Sequence, residues 1–241
     1  MIRSKVRFTR GRDLHITRCE RIALAAPGAL CYNIGAVHYV SGVTDMKYIA
    51  LSGAVCAGKT TLLGRLMDAL GERAAAHEER PQDNPFIRDY YADARRWSFH
   101  AQAAFLSLYF ERRDWLRRDR EFFFFDRCLI ENLVIARYRL LEGELTDDEY
   151  RVLERIARGM EALMPPIDRY IYLRCPAETL AERLRTRGMD YEGELGLRYA
   201  ERLKALYDNW AQTLPREKTL VLDDGAWTLE DVLSFIEART L

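Results

Sequence analysis

"LSGAVCAGKTTLL", residues 51–63, sets glycine or alanine at positions 53, 54, 57 and 58 around a single lysine and then turns apolar. The run "YIALS" (48–52) reads as a short buried strand leading into it, and a helical pattern follows over 59–70. Strand, then Gly-x-x-x-x-Gly-Lys-Thr, then helix is the context that a phosphate-binding loop (P-loop) requires. Gly53 and Gly58 let the backbone approach an anion closely, while successive amide N–H groups and the helix N-terminus face it. Lys59 supplies a mobile positive charge toward the outer phosphates, Thr60 offers a hydroxyl to a magnesium ion, and Thr61 continues the phosphate-facing first turn. The pattern predicts a bound nucleoside triphosphate with Mg2+.

Outward from this loop, short apolar runs alternate with longer amphipathic stretches, as in a βα succession. Five strands are predicted at 48–52, 74–78, 122–126, 169–174 and 219–224. "FFFFD" (122–126) and "RYIYLR" (169–174) are continuously apolar at their centres, the mark of strands covered on both faces of a parallel sheet. Helices are predicted over 59–70, 97–119, 129–141, 146–163, 177–187, 195–212 and 228–239, with Thr146 and Glu149 placed as a capping box. The fold class that follows is α/β, a three-layer P-loop fold with a five-stranded parallel sheet flanked by helices.

With 49% hydrophobic and 31% charged residues, the 241-residue chain can bury one substantial core. Its formal charge is zero, yet residues 1–45 hold seven Lys/Arg against three Asp/Glu and show no sustained period. That segment reads either as a transit-like leader or as sequence upstream of a start at Met46. The expected division is a basic extension over 1–45, outside the catalytic fold, and one catalytic domain over 46–241. The five cysteines form no C-x-x-C pair, which suggests neither a disulfide framework nor a zinc site and fits a reducing, cytoplasmic setting. No apolar run approaches the ~20 residues that cross a bilayer, and neither a membrane nor a nucleic acid is expected as a partner.

A phosphate loop names the donor, so the acceptor must be read from later residues. No Asn-Lys-x-Asp run selects guanine. Glu79 ends the second strand at the sheet edge where βα loops gather, and a carboxylate there can take the proton of an attacking hydroxyl; Glu78 is its rival. Asp126 and Arg127 leave the third strand at the same edge, where Arg127 can orient a reacting oxygen or offset developing charge. Gln102, Phe105 and Tyr109 fall at i, i+3 and i+7 of one helix, a single amide among aromatic neighbours, which suits the hydrogen-bonding edge and face of a nucleobase. Arg183 and Arg187 face one way on a later helix and Arg185 another, as a lid closing over triphosphate would place them. Cys128 reads as a small buried residue, not a nucleophile.

The stretch "HEERPQDNPFIRDYYADARRWSFHAQAAFLSLYF" (77–110), with "DRC" (126–128) and "RLRTRGMDYE" (183–192), resembles the deoxynucleoside kinase family, in order and over roughly residues 47–240. In that family a Glu-Pro, a Tyr, and then a Trp and a Gln follow the second strand; the matching positions are Glu79, Tyr91, Trp97 and Gln102. Arg80, Cys128 and Met189 stand where the family has a proline, a small hydroxyl residue and often an arginine. The resemblance implies transfer of the ATP γ-phosphate to the 5'-hydroxyl of a deoxyribonucleoside, with Arg127 near that hydroxyl and Asp126 near the metal. It also implies that Gln102 reads the base, that Tyr91 and Glu192 hold the 3'-hydroxyl, that Asn132 points at the base, and that the enzyme is a homodimer. "WSFHAQ" is most similar to the bacterial deoxyadenosine and deoxyguanosine kinases and favours a purine. Two other readings share the loop: a monophosphate kinase of the thymidylate kinase type, which would need arginines where Glu79 lies, and a regulatory module that binds nucleotide without turnover.

Overall fold

The computed structural model describes residues 46–111, 120–187 and 196–238. The basic extension, the end of the helix expected over 97–119, and Glu192 lie outside the described residues. Five parallel strands, β1 (Lys47–Ser52), β2 (Ala74–His77), β3 (Phe122–Asp126), β4 (Arg169–Arg174) and β5 (Thr219–Asp223), form one sheet in the order β2-β3-β1-β4-β5. Each predicted strand is present, within one residue at either end. β3 is buried along its whole length because its phenylalanines divide by parity: Phe122 and Phe124 enter the core on one face, Phe123 and Phe125 that on the other.

The described residues also form eight α-helices: α1 (Lys59–Leu70), α2 (Ile87–Ala92), α3 (Ala94–Glu111), α4 (Asn132–Leu141), α5 (Asp147–Glu161), α6 (Ala177–Arg187), α7 (Leu197–Ala211) and α8 (Leu229–Glu237). The face that receives Phe122 and Phe124 packs Leu62 and Leu66 of α1, Leu180 of α6, Leu203 and Tyr207 of α7, and Val232 and Ile236 of α8. The opposite face packs Leu106 of α3, Leu133 and Ala136 of α4, and Leu153 and Ala157 of α5. A smaller third cluster joins α2 to α3 through Ile87, Tyr90 and Ala101. The capping box at Thr146 is formed, with Glu149 N–H donating to the Thr146 hydroxyl at 3.2 Å and the Glu149 carboxylate accepting from Thr146 N–H at 2.8 Å. Thr228 and Asp231 repeat it at the start of α8.

Two helices differ from expectation. α2 has no counterpart in the sequence reading, because its six residues bury only Ile87 and Tyr90, too little apolar signal to register as a period. α4 begins at Asn132, after a 3-10 turn over Leu129–Glu131 that the pattern over 129–141 runs together with it. No described helix is long and apolar enough to cross a membrane.

Candidate active site

The chain leaves β1 for β2 and β3 on one side and later for β4 and β5 on the other. The sheet therefore reverses beside β1, and a crevice opens above the carboxyl ends of its strands. Three turns feed that crevice: the glycine-rich loop after β1, Glu79 after β2, and Asp126-Arg127 at the end of β3. A cavity of about 680 Å³ lies there, lined from the loop side by Gly58, Lys59, Thr60 and Thr61. Glu79, Tyr91, Gln102, Phe105, Asp126 and Arg127 line its other parts.

The loop is tight. Gly58, at φ 101°, caps α1 in a left-handed conformation, and Gly53, at φ 145°, sits so close to β4 that a Cβ there would lie 2.7 Å from the Leu173 carbonyl oxygen. Lys59 folds back over the loop and donates to the carbonyl oxygens of Gly53 at 2.8 Å and Ala54 at 2.9 Å. Burial, and then the neighbouring Arg127, lower its pKa to about 8. No acidic residue occupies the first turn of α1, so nothing there opposes an arriving anion.

Beside the loop, Thr60 Oγ1 donates to Asp126 Oδ2 at 3.2 Å, while Asp126 Oδ1 is buried without a hydrogen-bond partner among the described residues. A hydroxyl and an ionisable oxygen placed together are hard donors of the kind a magnesium ion takes. Arg127 Nε donates to Glu79 Oε2 at 2.6 Å, with Arg127 4% and Glu79 17% exposed. Glu78, by contrast, is 53% exposed and pairs at 3.6 Å with Arg80, outside the main cavity. Burial raises the pKa of Cys128 and keeps the thiol protonated, as a packing residue requires.

Arg183 and Arg187 both line the cavity and Arg185 does not, so the four-residue spacing divides these arginines as expected. Arg183 is bonded to both carboxylate oxygens of Asp224, at 3.0 and 3.1 Å. Three expected substrate residues stand elsewhere. Trp97 stacks on Phe86 behind the cavity wall, with ring centroids 5.6 Å apart. Tyr109 stacks on His77 and donates its hydroxyl to the Arg127 carbonyl oxygen at 2.7 Å, because one further turn of α3 carries it beneath the sheet edge. The side-chain amide of Asn132 donates to the Leu129 carbonyl at 3.0 Å, closing the 3-10 turn, and does not reach the cavity.

Sequence reasoning also missed Glu131, Arg139 and Tyr207. Glu131 is four residues beyond Arg127 and ion-paired with it at 3.5 Å, a spacing that could have been noticed. Tyr207 falls on the apolar stripe of α7 with Tyr199 and Leu203, where nothing separates it from an ordinary core residue. Arg139 lines the cavity with its guanidinium over the rings of Tyr90, Tyr138 and Tyr199 and bonded to Glu144 at 3.0 Å.

A parallel sheet with a phosphate loop, and beside it a cleft lined by a carboxylate on an arginine, defines a P-loop phosphotransferase for a small molecule. The chain belongs to the deoxynucleoside kinase family, whose model matches residues 49–236. It is 29% identical to the deoxyadenosine/deoxycytidine kinase of Bacillus subtilis over 67% of this chain and 75% of that protein. It is 27% identical to the deoxyadenosine kinase of Dictyostelium discoideum over 70% and 68%, and 25% identical to the deoxyguanosine kinase of B. subtilis over 74% and 86%. The fold is shared with the solved deoxyadenosine kinase of M. mycoides with bound dATP, at a TM-score of 0.68 and 23% identity over 79% of this chain and all of that one. The protein is a kinase that phosphorylates deoxynucleosides, which sets aside the thymidylate kinase and non-catalytic readings.

Proposed function

We propose that the enzyme transfers the γ-phosphate of ATP to the 5'-hydroxyl of a purine deoxynucleoside, with Glu79 as the base. The observation that carries this reading is one cavity shared by the phosphate loop and a half-sequestered carboxylate on Arg127. Glu79 takes the hydroxyl proton, and Arg127 holds Glu79 and faces the charge that develops on the phosphoryl oxygens. Lys59, Arg183 and Arg187 hold the triphosphate from three sides. Thr60 and Asp126 would hold Mg2+, which neutralises phosphate charge when bound. Tyr91 and Glu192 hold the sugar.

Gln102 is buried and its Oε1 has no partner among the described residues, so it offers an acceptor beside an amide donor to a base edge that carries an amino group. Phe105 on the same wall offers stacking area. The relatives named for deoxyadenosine and deoxyguanosine favour a purine over thymidine. A homodimer is consistent with Val152 and Ile156, two exposed apolar residues one turn apart on α5.

Glu79→Gln keeps ATP binding and loses about 10²–10⁴ in turnover, the usual range for a positioned general base, measured by single-turnover phosphorylation of the four deoxynucleosides. The same loss in Glu78→Gln with Glu79→Gln active would move the base by one residue. A clear preference for thymidine or deoxycytidine over both purines would overturn the acceptor assignment.

A further inference from the structure

Arg127 is fixed at more points than an oxygen-orienting arginine needs. Its backbone is left-handed, at φ 72°, a costly state for a residue with a Cβ. That state is held from both ends: Arg127 N–H donates to the Leu51 carbonyl at 3.0 Å, and the Tyr109 hydroxyl donates to the Arg127 carbonyl. On the side chain, Nε is bonded to Glu79. Nη1 faces the Gly53 carbonyl at 3.4 Å, Glu131 Oε1 at 3.5 Å and the hydroxyl of Tyr207.

Glu131 is 0% exposed and also accepts the Gly53 N–H at 3.2 Å. A second carboxylate sealed against the same guanidinium is a poor device for stability, since replacing buried ion pairs by apolar packing is often neutral or better. It has a clear use in the reaction. With Nε on Glu79 and Nη1 on Glu131, the guanidinium is held at both ends in the orientation that aims Glu79 into the cavity.

We propose that Glu131 and Tyr207 are positioning residues for phosphoryl transfer: they hold the far end of the Arg127 guanidinium whose Nε aims Glu79 into the cavity. The inference rests on the reading of Glu79 as the base. The charged and titratable groups around Glu79 are Arg127 just after β3, Lys59 from α1, Tyr109 from α3 and Tyr207 from α7, with His77 at the end of β2 and Glu78, Arg80 and Asp83 on the turn that follows. Those around Glu131 are the cations Arg127 and Lys59 and the neutral Tyr207, Tyr172 and Cys128. Burial pushes the Glu131 pKa up, while Arg127 and then Lys59 pull it back. Removing its charge takes away one of the three contacts of Nη1 and loosens the guanidinium that holds Glu79.

The test uses the full chain, with ATP and its best deoxynucleoside. Glu131→Gln keeps the side chain's shape and an acceptor for Gly53 N–H. We expect kcat to fall about 10-fold to 100-fold with both KM values within about threefold, the pattern of an interaction that matters only in the transition state. Glu131→Asp, which restores the carboxylate, should recover part of the rate. Tyr207→Phe removes one oxygen and should lower kcat without raising either KM; if Glu131→Gln fails to fold, this variant decides alone. An unchanged kcat in either variant, or a rise in the KM for ATP, overturns the proposal. An active Glu79→Gln would instead remove the underlying base assignment, whereas an inactive Glu79→Gln beside a normal Glu131→Gln removes this inference only.

Discussion

Lys59 meets its substrate from a self-bonded state. With its ammonium on two carbonyls of its own loop and its pKa lowered to about 8, it is partly neutral in mildly alkaline solution. An incoming triphosphate favours the charged form, so binding restores the proton. ATP titrated calorimetrically in buffers of different ionisation enthalpy should take up little proton at pH 7 and more than about half a proton at pH 8.5; equal uptake at the two values would exclude Lys59 as the source. The sign for stability follows from the same depression. The folded-state pKa lies below the ordinary 10.5, so this group adds stability to the ligand-free protein as pH rises from about 8 toward 10.5. Glu79, Asp126 and Arg127 were legible in the sequence because they stand at or just past the ends of β2 and β3, which the sheet places, and Lys59 and Thr60 because a glycine-rich loop ties the start of α1 to the end of β1. Asn132 and Tyr109 were not, because spacing assigns a helix face without revealing which neighbouring carbonyl will claim the polar group.

A polar signal at a helix start helps its reading but is not required, since α1 matches its expected span without a side-chain cap. Thr146 and Glu149 announce α5, and the box they form satisfies two N–H groups of its first turn. Thr146→Ala should cost about 1 kcal/mol, a fall of about 2–4 °C in Tm for a domain of this size. Thr146 lies outside the cavity lining, so kcat should stay unchanged. A scanning-calorimetry shift accompanied by a loss of kcat would show that α5 is coupled to the site. α2 carries no such announcement; Phe86 precedes it without a side-chain cap, and its stability comes from packing Ile87 and Tyr90 against α3. Tertiary contact of that kind is invisible to a pattern read along one segment.

At the scale of the molecule, all five strands and both sheet faces are assembled from residues 46–238. Lys47 Nζ closes the carboxyl end of α8 through the carbonyls of Ile236 at 2.8 Å and Ala238 at 3.0 Å, so the two ends of this body hold one another. A chain beginning at Met46 is therefore expected to fold and to keep its activity, tested by expressing it and comparing Tm and kcat with the full chain; an insoluble or inactive product would place the basic extension within the working enzyme. The parallel class and strand positions were legible because continuous apolar runs mark strands buried on both faces. The order β2-β3-β1-β4-β5 was not, since adjacency is decided by crossovers that leave no local trace.

The small cluster joining α2 to α3 carries a different consequence. Tyr90, Tyr91, Gln102 and Phe105 line the cavity from α2 and one face of α3, while Lys59, Asp126 and Arg127 line it from the loop and the end of β3. Substitutions confined to α2 and to the cavity face of α3 reshape the chamber and leave in place Leu106, which packs on the sheet, and Tyr109, which holds the Arg127 carbonyl. Such a division lets the shape of the acceptor chamber vary separately from the loop and the strand end beside it.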